Sequence, residues 1–286
     1  MSKGSRQVEC RSGVEQVIHD FWATPQNTLK MPCDEPAWAK PLIGIARGSD
    51  PLFTQLKEEI GPFYWTPLEA FKIAFPEASA RATDLSVIVY VLPQTEATRR
   101  DQRQEEAVPA ERWARSRFHG EQFNCALRLH LAERLTEAGY PAVAPERLSQ
   151  FAYRQSERFG LASNWSERHT AWIAGLGTFG LSDGLITRAG KAVRFGSVVA
   201  KIDLAATPRP YVGYQDWCLW FAKGTCGVCQ QRCPTGAITD QGHDKPKCFD
   251  YIRKVTAPYV QQHYGLGDTP CGLCQVGIPC EERSPL

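Results

Sequence analysis

The sequence predicts an α+β protein in two parts: a mixed α/β core over residues 1–205 and a small cysteine-rich domain over residues 206–286. Three stretches carry that reading. Residues 85–92 (LSVIVYVL) are short, β-branched and apolar almost throughout, the pattern of a strand lying centrally in a sheet. Residues 120–138 repeat Phe123, Leu127, Leu131 and Leu135 at four-residue spacing and stop at Gly139, which is a helix with its terminator. Between Cys218 and Cys280 lie eight of the eleven cysteines.

The other elements follow in order. Residues 1–50 are polar and punctuated by Pro25, Pro32, Pro36 and Pro41; a turn or two of amphipathic helix fits residues 14–22, and the rest reads as a wrapping arm. Leu52, Phe53, Leu56 and Ile60 share one face of a helix, and Pro67 opens another that Pro76 stops. Residues 96–117 mix Arg99, Arg100, Arg103, Arg112, Arg115 and Arg117 with Glu96, Asp101, Glu105, Glu106 and Glu111. Such a mixture favours a solvated face with local ion pairs over an anion site. An extended piece at 141–145, a helix at 169–174 and a strand at 193–204 complete the core, with Gly196 marking a bulge or a close approach.

With 43% hydrophobic residues and a net charge of +2, the chain reads as a soluble globule without a nucleic-acid or anionic-membrane footprint. No apolar run is long enough to span a bilayer, and residues 1–18 lack the apolar core of a signal peptide. Free thiols then fit a reducing cytoplasm. Cys10, Cys33 and Cys125 are scattered and read as ordinary small apolar residues.

The clustered cysteines run Cys218-x7-Cys226-x2-Cys229-x3-Cys233-Pro234 and then Cys248-x22-Cys271-x2-Cys274-x5-Cys280. Two-cluster ferredoxins use C-x2-C-x2-C-x3-C-P, in which the cysteine before proline ligates the other cluster. Here Lys223 stands where the first cysteine of that run belongs, and Cys218 is its replacement. By the exchange rule one 4Fe–4S cluster takes Cys218, Cys226, Cys229 and Cys280, and a second takes Cys233, Cys248, Cys271 and Cys274. Disulfides do not suit C-x2-C pairs in a chain with no mark of secretion. Two structural zinc sites are the stronger competitor. The Cys-Pro-Thr-Gly-Ala-Ile run at 233–238 favours iron–sulfur, hence a C-terminal ferredoxin-like two-cluster domain.

Residues 175–180 match G-x-G-x-x-G, but the segment before them looks helical and the segment after them does not. A dinucleotide fingerprint needs the reverse order, so these glycines mark only a close backbone approach.

Taken together, Ser166-Glu167-Arg168, the run from Ala174 to Gly180, Val193-Arg194-Phe195-Gly196-Ser197 and the cysteine motif resemble the superfamily of epoxyqueuosine reductases and reductive dehalogenases over roughly residues 50–280. The resemblance implies a nitroreductase-like core that holds cobalamin, capped by the ferredoxin domain, with electrons passing through both clusters to cobalt. It also implies a small-molecule substrate and an external low-potential donor, a flavodoxin or ferredoxin. Gly175, Gly177 and Gly180, with Ser182, are the expected corrin contacts. Epoxyqueuosine reductases continue the glycine loop with Trp-Ile-Gly-Lys-Asn, where this chain has Thr178-Phe179-Gly180-Leu181-Ser182. Leu161 occupies the place of their proton-donating aspartate. The chain ends six residues after Cys280, without the helical-repeat tail that helps those enzymes hold tRNA, so tRNA is not the expected substrate.

Tyr153, Glu167, Arg168, His169 and Asp183 remain as proton-donor candidates. His169 near its natural pKa could serve, or could be an ordinary core or surface histidine. None of the six histidines fits a D-x-H-x-x-G cobalt-ligand pattern. Two other classes stay open: an electron carrier or cobalamin-handling protein without turnover, and a cluster protein whose core holds no corrin.

Overall fold

The computed structural model describes residues 11–267 and 271–286, which leaves Cys10 outside the described residues. The fold is α+β. Its core strands are β1 (Leu42–Arg47), β2 (Ser86–Pro93), β3 (Ala142–Val143), β4 (Tyr153–Ser156), β5 (Gly160–Ser163), β6 (Gly177–Phe179), β7 (Leu185–Thr187) and β8 (Val193–Ala200). The core helices are α1 (Arg11–Trp22), α2 (Pro51–Ile60), α3 (Pro67–Ala74), α4 (Glu96–Gln104), α5 (Glu111–Glu137) and α6 (Glu167–Ile173). β1, β2, β8 and β3 lie side by side in that order and are antiparallel throughout. β4–β5 and β6–β7 form separate two-stranded pairs.

Helices cover both faces of the central sheet. Ile88, Tyr90 and Leu92 of β2 meet Val14 and Ile18 of α1 and Leu127, Leu131 and Leu135 of α5. Val87, Val89 and Val91 meet Phe53 and Leu56 of α2, Phe71 of α3 and Ala171 and Ile173 of α6. This double burial explains the unbroken apolar run of β2, since neither set of alternate residues faces water. Each such side chain contributes about 1.5–3 kcal/mol by leaving water. Gly196 on β8 is a close approach and not a bulge: the ladder with β2 runs unbroken, and a Cβ at Gly196 would strike the Tyr90 hydroxyl.

Three expectations change. α1 extends over twelve residues, and residues 42–47 form an edge strand instead of part of an arm. Pro41 and Gly44 hide that strand; Gly44 is needed because a Cβ there would lie 2.6 Å from the Ala174 carbonyl oxygen. α5 begins at Glu111 instead of Gly120. The ion pairs of residues 96–117 are not all local, because Arg103 reaches Glu281 at 2.8 Å, Arg99 reaches Glu282 at 3.2 Å and Arg112 reaches Glu35 at 2.7 Å.

Residues 207–217 pack on the core. The Ile45 N–H donates to Thr207 Oγ1 at 2.9 Å, and Tyr211 and Trp217 join the apolar cluster on the α6 side of the sheet. The segment beyond Cys218 packs on α5, with Val260 and Leu266 against Ala114, and Val276 against Trp113 and Ala192. Among the described residues, no helix is long and apolar enough to cross a membrane.

Candidate functional site

The structure brings the clustered cysteines together as two fours. Cys218, Cys226, Cys229 and Cys280 line one cavity, and Cys233, Cys248, Cys271 and Cys274 line another. Cys280 comes from far along the chain to join the first group, while Cys233 turns away from its neighbour Cys229 to join the second. Burial pushes the Cys280 thiol up to about 11 against the pull of Lys191, with the neighbouring thiols of Cys229, Cys218 and Cys226 adding to the rise. Burial pushes Cys271 up to about 12, opposed by the Leu273 backbone and helped by Cys274, Cys248 and Cys233. Thiols held this high become thiolates at neutral pH only when a metal takes up the charge. Cys233 differs. Burial works to raise it, but the Thr235 hydroxyl at 3.5 Å and the N–H groups of Thr235, Ala237 and Ile238 bring it below the ordinary thiol value. Among the described residues, no three side chains of metal-ligating type are gathered as they would be around one metal ion. The first cavity is narrow, about 20 Å³, so its thiols must swing outward to admit a multi-iron core.

The second cavity, of about 280 Å³, adjoins a cleft of about 370 Å³; Arg117, Arg168, Gly184, Lys191, Val193 and Arg194 belong to the walls of both. Tyr153, Glu167, Arg168 and His169 all line the cleft, so the structure collects four of the five sequence candidates in one place, while Asp183 lines a different pocket. The β4–β5 pair forms the rim, with Tyr153 62% and Leu161 51% exposed. Asn164 fastens that rim by accepting from Ala152 N–H at 3.2 Å and donating to the Gln150 carbonyl at 2.8 Å.

Buried charges lie at and beneath the cleft floor. Arg128 of α5, its side chain only 3% exposed, lies 2.6 Å from Glu146, 3.2 Å from Glu121 and 3.5 Å from Glu167, and donates to the Phe195 carbonyl at 2.9 Å. Glu121 also takes Arg194 at 2.7 Å; burial alone would raise its pKa, but Arg194 and Arg128 hold it down to about 2. Glu167, at the first turn of α6, is the contrasting case. Burial raises it to about 7, against the pull of Arg128 and with the help of Glu146. A carboxyl poised near neutral pH at a cleft wall can hold a proton and release it to a bound molecule.

His169 does not stay near its natural pKa. Burial, with Arg168 and Lys245 adding to it, pushes it down to about 3, so the ring is neutral at physiological pH. Both ring nitrogens are engaged, Nδ1 with Ser166 Oγ at 2.8 Å and Nε2 with Tyr214 Oη at 3.0 Å, which leaves neither for a metal. Arg168 donates to the Asp183 carbonyl. The glycine loop also departs from expectation, because Gly175 and Gly177 do not line the cleft. A Cβ at Gly175 would meet the Pro208 carbonyl oxygen at 2.8 Å, and Gly177 is packed against Ile186 backbone. Gly180 lines the first thiol cavity and Ser182 the second. Arg128, Glu146 and Lys191 escape sequence reasoning. The one hint is that Arg128 adjoins the apolar stripe of α5, where a charge is misplaced unless paired.

No family model and no curated protein matches the chain. Among solved structures, it is similar to the catabolic reductive dehalogenase NpRdhA in complex with 3-bromo-4-hydroxybenzoic acid, at 15% identity and a TM-score of 0.54, over 95% of this chain and 36% of that one. The N-terminally tagged dehalogenase matches at 14% identity and a TM-score of 0.52, over 96% of this chain and 37% of that one. The chain shares the fold of the reductive dehalogenases. It spans about a third of the dehalogenase's length. An epoxyqueuosine reductase from Bacillus subtilis matches at 17% identity and a TM-score of 0.45, over 86% of this chain and 62% of that one.

Proposed function

We propose that this chain is an iron–sulfur, cobalamin-dependent reductase of a small organic substrate, working in a reducing cytoplasm. The observation that carries the reading is the division of eight thiols between two separate cavities, the second of which adjoins the cleft. Residues 206–286 would then act as a ferredoxin-like two-cluster domain on a core of residues 1–205. Cys218, Cys226, Cys229 and Cys280 would hold one 4Fe–4S cluster, and Cys233, Cys248, Cys271 and Cys274 the other. The second four lines a cavity with room for a multi-iron core, and the first would have to open to take one. A zinc ion, with sulfur at about 2.3 Å on every side, needs thiols drawn to a point.

The cleft suits a cobalamin in three respects. It lies beside the second thiol cavity, it is walled by Phe151, Phe159, Trp165 and Phe195, and its exposed rim lets a large ligand extend past Tyr153 and Leu161. His169 has no free nitrogen to offer a metal. Bound there, the cobalamin would supply a strongly reducing metal centre for loss of a substituent. The protein's own share is binding and protons. Phe151, Phe159 and Phe195 would grip a small aromatic, the kind of molecule the structurally similar dehalogenase binds. Glu167 would deliver the proton, and Arg128 would fix its position. Electrons would come from an external low-potential flavodoxin or ferredoxin.

Iron and cobalt analysis of protein purified without oxygen and incubated with cobalamin tests this reading. About eight irons and one cobalt per chain are expected. Eight irons without cobalt would remove the corrin and leave a cluster protein with another cleft ligand.

A further inference from the structure

Lys191 lines the cleft and both thiol cavities. It is buried, 4% exposed; among the described residues no carboxylate pairs with it, and the titratable groups that act on it are the thiols of Cys274, Cys280, Cys229 and Cys218. The ammonium donates to Ser182 Oγ and to the Cys274 carbonyl at 3.3 Å. The backbone N–H of the same residue donates to the Cys280 carbonyl at 2.8 Å. One residue therefore ties together the last cysteines of both fours. Its stem has a built path, because a Cβ at Gly184 would run into Lys191 Cε.

A buried ammonium without a carboxylate is unfavourable by several kcal/mol unless other negative charge compensates it. Two four-thiolate clusters would bring such charge to either side of Lys191. Adding an electron to a cluster makes it more negative, and a fixed cation in a low-dielectric interior favours the reduced form more than the oxidised one. Resting on the cluster reading above, we propose that Lys191 is a positive charge shared by both clusters that raises the reduction potential of each and keeps the two close enough for electrons to pass toward the cleft. It is a positioning residue, acting through the clusters and not on substrate.

The test is an EPR-monitored redox titration of anaerobically purified wild type, Lys191→Gln and Lys191→Arg, with iron counted in each. In Lys191→Gln, the equilibrium constant for one-electron reduction of each cluster is expected to fall about tenfold, a drop of ~59 mV in both midpoints. Lys191→Arg, which keeps the charge, is expected to stay near wild type. Unmoved potentials in an iron-replete Lys191→Gln protein would overturn the proposal and leave the clusters standing. If Lys191→Gln holds no iron while Lys191→Arg does, charge is what assembly requires, which supports the proposal. Loss of iron from both variants would make shape the requirement and overturn it. Wild type without iron would sink the cluster reading and this inference with it.

Discussion

Arg128 and Glu146 meet at 2.6 Å beneath the cleft, joining the middle of α5 to the turn after β3. The guanidinium also faces Glu121 and Glu167, so it stands among three half-buried carboxyl groups, of which Glu121 is held by Arg194 as well. Arg128→Met is expected to destabilise the protein by about 3–5 kcal/mol, the usual consequence of leaving a buried partner uncompensated. Urea denaturation would measure this, and Glu146→Gln in the same background should recover part of the loss. A change under 1 kcal/mol would mean that water already reaches these groups.

Glu167 makes stability depend on pH in a defined direction. Its folded pKa, about 7, lies above the ordinary 4.5, so the folded state holds a proton that the unfolded state has released. The stability this proton supplies is present below pH 4.5 and is lost as pH rises to 7. It amounts to about 3 kcal/mol at most. Glu167→Gln should flatten that part of the profile of denaturation midpoint against pH; an unchanged slope would assign it to other groups.

His169 gives the opposite slope. Its folded pKa of about 3 lies below the ordinary 6.5, so the unfolded state takes up the proton first. The contribution is present above pH 6.5 and drains away toward pH 3. His169→Gln retains hydrogen-bonding groups toward Ser166 and Tyr214 but does not titrate. Its stability is expected to fall less steeply than that of wild type between those limits, by about 5 kcal/mol in total. NMR titration of the imidazole would locate the folded value directly.

The two cysteine groups should lose metal independently. Cys226→Ala and Cys274→Ala are each expected to lose about four irons, whereas Cys33→Ser should lose none. Cys33 lies exposed and apart from both cavities. If neither alanine variant changes iron content, the ferredoxin reading fails.

Where β8 pairs with β2, Gly196→Ala should destabilise by about 1–3 kcal/mol through overpacking. Tyr90 cannot retreat without breaking its hydroxyl's 2.9 Å hydrogen bond to Asn124 Oδ1. Thermal melting would report the change as a lowered Tm.

β2 is legible in the sequence because both of its faces are buried, which leaves an apolar run too short for a helix. β1 is not legible, because Gly44 dilutes it for the sake of a tertiary contact with Ala174 that no local pattern records. The early start of α5 is obscured for a similar reason, since Arg112 answers Glu35 and Asp101 across space instead of a neighbour along the helix. At the candidate site, the grouping of the cysteines is the one that ligand exchange in two-cluster ferredoxins prescribes, a topological rule that spacing can express. Tyr153, Glu167, Arg168 and His169 line one cleft, but their protonation does not follow from residue type. Burial and Arg128 decide it for Glu167, and burial decides it for His169.

Cys280 completes the four begun at Cys218, and this has a consequence for biosynthesis. A chain emerging from the ribosome presents Cys218, Cys226 and Cys229 long before Cys280, while the core ahead of them can already fold. Until residue 280 appears, the first four is one thiol short and stays open to oxidation or to stray metal. Closure then needs Lys191 to meet the Cys280 carbonyl and Arg103 to meet Glu281. Whatever the first four binds is thereby held off until residue 280 has been made, after the core ahead of Cys218 is free to fold.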